Sequence, residues 1–158
     1  MTGLIRELAQ QYPGVRVRFV PGITAACAGA AVLGAPLMHD FAVISLSDRL
    51  TPLEDIWNRV EAAAQADFVI CLYNPASKGR PDFFRQACSR ILKYRAEDTV
   101  CGLAVNIGRE GEEMEVLTLE ELKDRRVDMF TTVYIGNSHT RQIGPSMVTH
   151  RGYRYEGN

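Results

Sequence analysis

Ala66-Asp67-Phe68-Val69-Ile70-Cys71-Leu72-Tyr73-Asn74-Pro75 decides the architecture. The unbroken apolar run Phe68 to Leu72 is too short for a core helix and rich in strand formers, as expected of a strand covered on both faces. Tyr73-Asn74-Pro75 ends it with an aromatic face, an amide that both donates and accepts, and a proline that withholds a backbone donor.

On the C-terminal side, Asn74 to Pro81 is dense in turn formers, and a helix follows from about Asp82 to Tyr94 with Phe83, Phe84, Ala87, Ile91 and Leu92 on one stripe. On the N-terminal side, Thr51-Pro52-Leu53-Glu54 has the spacing of a capping box, and Ile56, Trp57, Val60, Ala63 and Ala64 make the apolar face of the helix it opens. Before that, Phe41 to Leu46 reads as a strand closed by Ser47-Asp48-Arg49. Strand, helix, strand and helix therefore alternate about the quoted stretch.

Farther out, Val100 to Ile107 predicts a strand, Gly108 to Gly111 a turn, and Met114, Val116 and Leu117 an antiparallel return. Thr118-Leu119-Glu120-Glu121 is a second capping box on a short helix ending near Lys123, and Met129 to Ile135 is a further strand closed by Gly136-Asn137-Ser138. After Ser138 little periodicity is left. At the other end, Leu4, Ile5, Leu8 and Tyr12 predict a helix stopping near Pro13-Gly14, and Val15, Val17 and Phe19 a strand running into Pro21-Gly22. Thr24 is placed to cap a helix of small residues through Leu33, ended by Gly34 and Pro36. The class is α/β, with a mixed sheet expected over residues 39–150.

Lys and Arg number 18 against 19 Asp and Glu, a net charge of −1, which gives no reason to expect general affinity for nucleic acid or anionic membrane. An apolar content of 46% suits a globular chain of 158 residues rather than a disordered one. Pro21 to Met38 is uncharged, but its Ala and Gly content and flanking prolines argue for a buried helix and against a membrane span. No secretory signal is expected, since Arg6 and Glu7 interrupt the first apolar positions. Cys27, Cys71, Cys88 and Cys101 match neither a zinc pattern nor a disulfide framework, so a reducing cytoplasmic setting is expected. His39, His139 and His150 show no metal-ligand spacing, and no metal is expected.

Ligands of open α/β sheets bind at the carboxyl ends of strands, which singles out Pro21 to Ala25, Ser45 to Asp48, Tyr73-Asn74-Pro75 and Gly136-Asn137-Ser138. Pro21-Gly22-Ile23-Thr24 is either a plain turn with a Thr cap or a place where backbone and Thr24 receive a polar group. Tyr73-Asn74-Pro75 is either an Asx turn or a rest for a flat heterocycle. Lys78 and Arg80, on a strand-end loop, can be aimed at a carboxylate or phosphate, whereas Arg90, Lys93 and Arg95 read as solvated helix charges.

Phe19-Val20-Pro21-Gly22-Ile23-Thr24-Ala25-Ala26, Gly34-Ala35-Pro36-Leu37, Asp40 to Asp48, Leu72-Tyr73-Asn74-Pro75 and Ile135-Gly136-Asn137-Ser138 together resemble the tetrapyrrole methylase family. The resemblance runs along nearly the whole chain. It implies two α/β domains with S-adenosylmethionine between them, and methylation of a precorrin-type tetrapyrrole, with ring contraction, in cobalamin biosynthesis. By position it implies cofactor contacts at Pro21, Gly22, Thr24, Ala25, Tyr73 and Asn74, with Thr118, Gly136 and Asn137 as further contributors. It gives Lys78, Arg80, Arg109 and Arg141 a task as partners of the substrate's carboxylates, and makes Asp48 and His39 candidates for proton movement.

The family's glycine-rich first strand-turn and Gly-Asp loop have no counterpart in this sequence. Residues 1–38 are therefore expected to be the end of a first domain and 39–158 a second, with weak or absent cofactor binding or a homodimer covering the exposed surface. Two other classes stay open: a non-catalytic α/β module binding a nucleotide or acidic metabolite, and a structural fragment that dimerises.

Overall fold

A computed structural model describes residues 2–76 and 82–153. The elements are α1 (Thr2–Ala9), α2 (Ala25–Leu33), β1 (Gly34–Ala35), β2 (Phe41–Ser45), α3 (Leu53–Gln65), β3 (Val69–Tyr73) and α4 (Phe83–Ile91), followed by β4 (Val100–Val105), β5 (Glu113–Thr118), α5 (Leu119–Lys123), β6 (Thr131–Ile135), β7 (Thr140–Ile143) and β8 (Ser146–Thr149). β2 to β6 form a five-stranded sheet in the order β2-β3-β6-β4-β5, and β1, β8 and β7 a second, three-stranded one. The large sheet is mixed: β2 and β3 are parallel, while β6 lies antiparallel to both β3 and β4.

Strand alternation sorts side chains to two covered faces. Ile70, Leu72, Leu103, Val133 and Ile135 pack against α3 and α4, including Ile56, Trp57, Val60, Phe84 and Ile91. Full burial of each such side chain is worth about 1.5–3 kcal/mol. Cys71, Ala104 and Tyr134 face the other way, onto Ala26, Ala30 and Leu33 of α2 and Met147 of β8. Small residues on that face let α2 approach closely: a Cβ at Gly102 would lie 2.7 Å from Leu33, and one at Gly29 would lie 2.5 Å from the Tyr134 hydroxyl. The expected stripe of α3 is buried at every position, and the capping box at Thr118 forms, with Glu121 N donating to Thr118 Oγ1 and Glu121 Oε2 accepting from Thr118 N.

Four expectations need correction. Val15 to Val20 is no strand, because no neighbour among the described residues supplies ladder hydrogen bonds; Val15, Phe19 and Val20 are exposed. Neither Thr24 nor Thr51 caps its helix through the side chain. Gly34, at a φ of 123°, does end α2, but it and Ala35 also pair with Met147 and Val148. The unpatterned tail holds the β7-β8 hairpin, whose Thr149 Oγ1 donates to Pro36 O at 2.6 Å. Residues 39–150 therefore feed two sheets, the second of which takes a strand from before residue 39. None of the helices among the described residues is long and apolar enough to cross a membrane.

Candidate functional site

The first turn of α2 is held by two tyrosines from the sheet beneath it. Tyr73, closing β3, accepts from Ala26 N at 2.6 Å and shares a hydrogen bond of 2.7 Å with Thr24 Oγ1. Because the phenolic oxygen already accepts from Ala26, its own proton is available to Thr24. Tyr134, on the neighbouring β6, is buried and donates toward the carbonyl oxygens of Ala26 at 2.7 Å and Ala25 at 3.0 Å. Burial pushes its phenol far above the ordinary tyrosine range, so it stays protonated and a donor. Gly29 is what permits this, since any side chain there would strike the hydroxyl.

The result is that Thr24 and Ala25 stand at the carboxyl end of β3. Asn74 lies beside them in the left-handed region, with φ 53°, and its Nδ2 donates to Ser45 Oγ at the end of β2 at 2.9 Å. Ser45 Oγ also accepts from Ser47 N at 3.2 Å, which ties the loop carrying Asp48 to the same corner. The register places two further segments at this end: Val105 is opposite Thr131, and Asn106, with φ 51°, donates its N–H to Phe130 O at 3.2 Å. Sequence reasoning marked Ser45 as a strand end but passed over Asn106 and Thr131. The Asn-Ile-Gly ending of β4 was the available signal for Asn106.

Pro21 and Gly22 precede this corner on exposed, irregular chain, and a Cβ at Gly22 would meet nothing within 4 Å. Arg109, in the β4-β5 turn, lies at the same end of the sheet with its guanidinium 5.7 Å from the centre of the Phe130 ring. Lys78 and Arg80 fall outside the described residues.

The remaining candidates are at the opposite end of the sheet, apart from the corner where Thr24 and Tyr73 meet, although the resemblance groups Thr118, Gly136 and Asn137 with these two. Since β6 runs antiparallel to β3, Ile135 pairs with Ile70, and Gly136-Asn137 lies beside the start of β3 rather than its finish. Asn137 is occupied structurally: Nδ2 donates to Asp67 O at 3.2 Å, and Oδ1 accepts from His139 N and Thr140 Oγ1. Gly136 is wedged where a Cβ would lie 2.6 Å from Val100 O. Thr118 pairs with Val100 at that end too, and its hydroxyl serves the capping box. His39 precedes β2 there and stacks on His139 at 6.0 Å, so about six residues of extended chain, roughly 20 Å, separate it from Ser45. Arg141 turns its guanidinium back onto the carbonyls of Ser138 and Thr140, at 2.9 and 2.8 Å. That end is organised by Asp67, whose carboxylate accepts from Ser138 Oγ at 2.6 Å and pairs with Arg95. No group of three or more His, Cys, Asp or Glu among the described residues is placed to hold a metal ion.

A three-layer α/β fold with an α2 turn strapped to the end of β3 defines a class, and the comparisons agree with it. Residues 1–123 match the sequence model of the Tetrapyrrole (Corrin/Porphyrin) Methylases, and the chain belongs to that family. A protein of Salmonella typhimurium named "Probable cobalt-factor III C(17)-methyltransferase" is 45% identical over 154 residues, which are 97% of this chain and 64% of that protein. The crystal structure of the methyltransferase CobJ superposes with a TM-score of 0.85 at 35% identity, covering 95% of this chain and 64% of that one. A uroporphyrin-III C-methyltransferase from Thermus thermophilus, solved with S-adenosylhomocysteine, shares the fold, with a TM-score of 0.58 at 19% identity over 85% of this chain and 56% of that one. The chain thus spans a little under two thirds of the length of the Salmonella relative it matches.

Proposed function

We propose that the protein catalyses S-adenosylmethionine-dependent methylation at C17 of a precorrin-3B-type tetrapyrrole, with ring contraction, in cobalamin biosynthesis, and that the α2-β3 corner holds the methyl donor. The name of the Salmonella relative favours the cobalt-containing substrate. The observation that carries the reading is the 2.7 Å contact between Thr24 and Tyr73, which joins two segments 49 positions apart at one strand end.

The residues present fit a donor of this kind. Thr24 and Asn74 supply polar groups, Ala25 is small enough for close approach, and the Tyr73 ring offers a flat apolar face. Pro21 and Gly22 complete the loop. The donor supplies a methyl on an already activated sulfonium, so this chain's residues need chiefly to align the acceptor carbon. Asp48, on the loop fastened through Ser45, is the group we place for proton movement after alignment. Arg109, with Lys78 and Arg80, is placed on the substrate's carboxylates. Residues 1–38 are assigned to the end of the relatives' first domain and 39–158 to the second.

The setting proposed is the cytoplasm, in keeping with four free cysteines. A second copy of the chain is proposed to cover Leu4, Ile5, Leu8, Val20 and Ile23, all exposed. Transfer of labelled methyl from S-adenosylmethionine to cobalt-factor III, abolished in a Thr24→Val and Asn74→Ala double variant, is the expected result. Absence of both transfer and S-adenosylhomocysteine binding overturns the assignment.

A further inference from the structure

Next to the α2-β3 corner, beyond Ser45, the surface opens into a separate cleft of about 350 Å³ at the carboxyl end of β2. It has two kinds of wall. Val43 and Leu50 form an apolar side, with Val43 45% exposed and Leu50 99% exposed. Arg49, from the loop after β2, and Arg59, from the second turn of α3, face it with the hydroxyl residues Ser47 and Thr51.

The two arginines differ from those of the helical face. Arg85, Arg90, Arg95 and Arg125 each have a carboxylate partner, on Asp124, Glu61, Asp67 and Glu115 respectively. Neither Arg49 nor Arg59 has one among the described residues. A guanidinium without an acid partner, set beside hydroxyls and an exposed leucine, suits a ligand with an apolar body and a carboxylate tip. The cleft's volume lies at the low end for small-molecule sites, enough for one edge of a macrocycle rather than the whole.

We infer that Arg49 and Arg59 form a carboxylate-binding subsite for the acid arms of the tetrapyrrole, with the pyrrole edge resting on Val43 and Leu50. The inference rests on reading the neighbouring corner as the donor site, because Ser45 links the two: it lines the cleft and accepts from Asn74. The placement lets an acceptor anchored on β2 project its ring toward Tyr73.

The test is a fluorescence titration of the protein with uroporphyrin, which carries acetate and propionate arms, at low and high salt. An Arg49→Gln/Arg59→Gln double variant is expected to weaken binding about tenfold or more and to flatten the salt dependence, as loss of charged hydrogen bonds implies. An Arg85→Gln/Arg125→Gln variant removes the same charge elsewhere and is expected to bind as the parent does. Circular dichroism checks that each variant is folded, and Arg49→Lys/Arg59→Lys, which keeps the charge, is expected to recover part of the affinity. Unchanged binding in the Arg49 and Arg59 variant, or an equal loss in the control, overturns the inference. Parallel titration with S-adenosylhomocysteine keeps the two readings apart. Donor binding with arginine-independent porphyrin binding sinks the subsite alone, and arginine-dependent porphyrin binding without donor binding sinks the donor assignment alone.

Discussion

At the scale of single residues, the corner depends on two phenolic oxygens and one missing side chain. Tyr73→Phe removes the acceptor of Ala26 N and the partner of Thr24. It is expected to lower unfolding stability in urea by about 1–2 kcal/mol, the range for leaving a part-buried donor unpaired, and to weaken S-adenosylhomocysteine binding in a calorimetric titration. Gly29→Ala puts a methyl where the Tyr134 hydroxyl and Ile107 now sit. Overpacking of this kind is expected to cost about 1–3 kcal/mol. Tyr134→Phe removes the clash with the hydroxyl, so the double variant is expected to lose less than the sum of the two single losses, the mark of direct coupling. That Tyr73 ends a strand was legible from its neighbours. What its hydroxyl holds was not, because Thr24 is distant in sequence and its own local pattern pointed to helix capping.

Among elements, those with strong local chemistry were the readable ones. The apolar run of β3, the stripe of α3 and the box at Thr118 each carry their own signal. The β7-β8 hairpin was not seen, because Arg141, Gln142 and Ile143 are exposed and blur the alternation, leaving Gly144-Pro145 as the one cue. The opposite error occurred at Val15 to Val20, where alternation without a neighbour made no strand. Glu121 accepts from the Thr118 backbone and side chain, and Glu61 from Arg90, so both carboxyls are held below their ordinary 4.5. A lowered folded-state value means that the stabilisation is complete above that pH and is lost as pH falls through the lowered values. Stability measured below pH 4.5 is therefore expected to decline less steeply in Glu121→Gln and Glu61→Gln than in the parent. Thr118→Ala, measured at neutral pH, is expected to cost about 1 kcal/mol.

For the whole molecule, the class and the alternation of elements were read from sequence, but the way the sheet is threaded was not. Insertion of β6 antiparallel between β3 and β4 sends its carboxyl end to the side of the sheet opposite the carboxyl ends of β2, β3 and β4, so candidates that looked equivalent along the chain separate in space. Global burial also ranks the thiols. Cys71 and Cys88 are pushed up to about 12 and Cys101 well above its ordinary value, each by burial, while Cys27 is exposed in the first turn of α2. The folded protein at about pH 8 is expected to react with a thiol reagent at Cys27 and hardly elsewhere. All four cysteines should react once it is unfolded, and S-adenosylhomocysteine is expected to slow the native reaction. Labelling of Cys71 at a similar rate would contradict this packing. The clasp of β8 on β1, sealed by Thr149 against Pro36, also orders events in time. On a ribosome, residues 34–36 emerge more than a hundred positions before their partner, so this clasp can close only after Thr149 has emerged. A nascent polypeptide released before Ser146 would carry α2 without its clasp, and proteases should cut between Pro21 and Leu37 in that product far sooner than in one that carries β8.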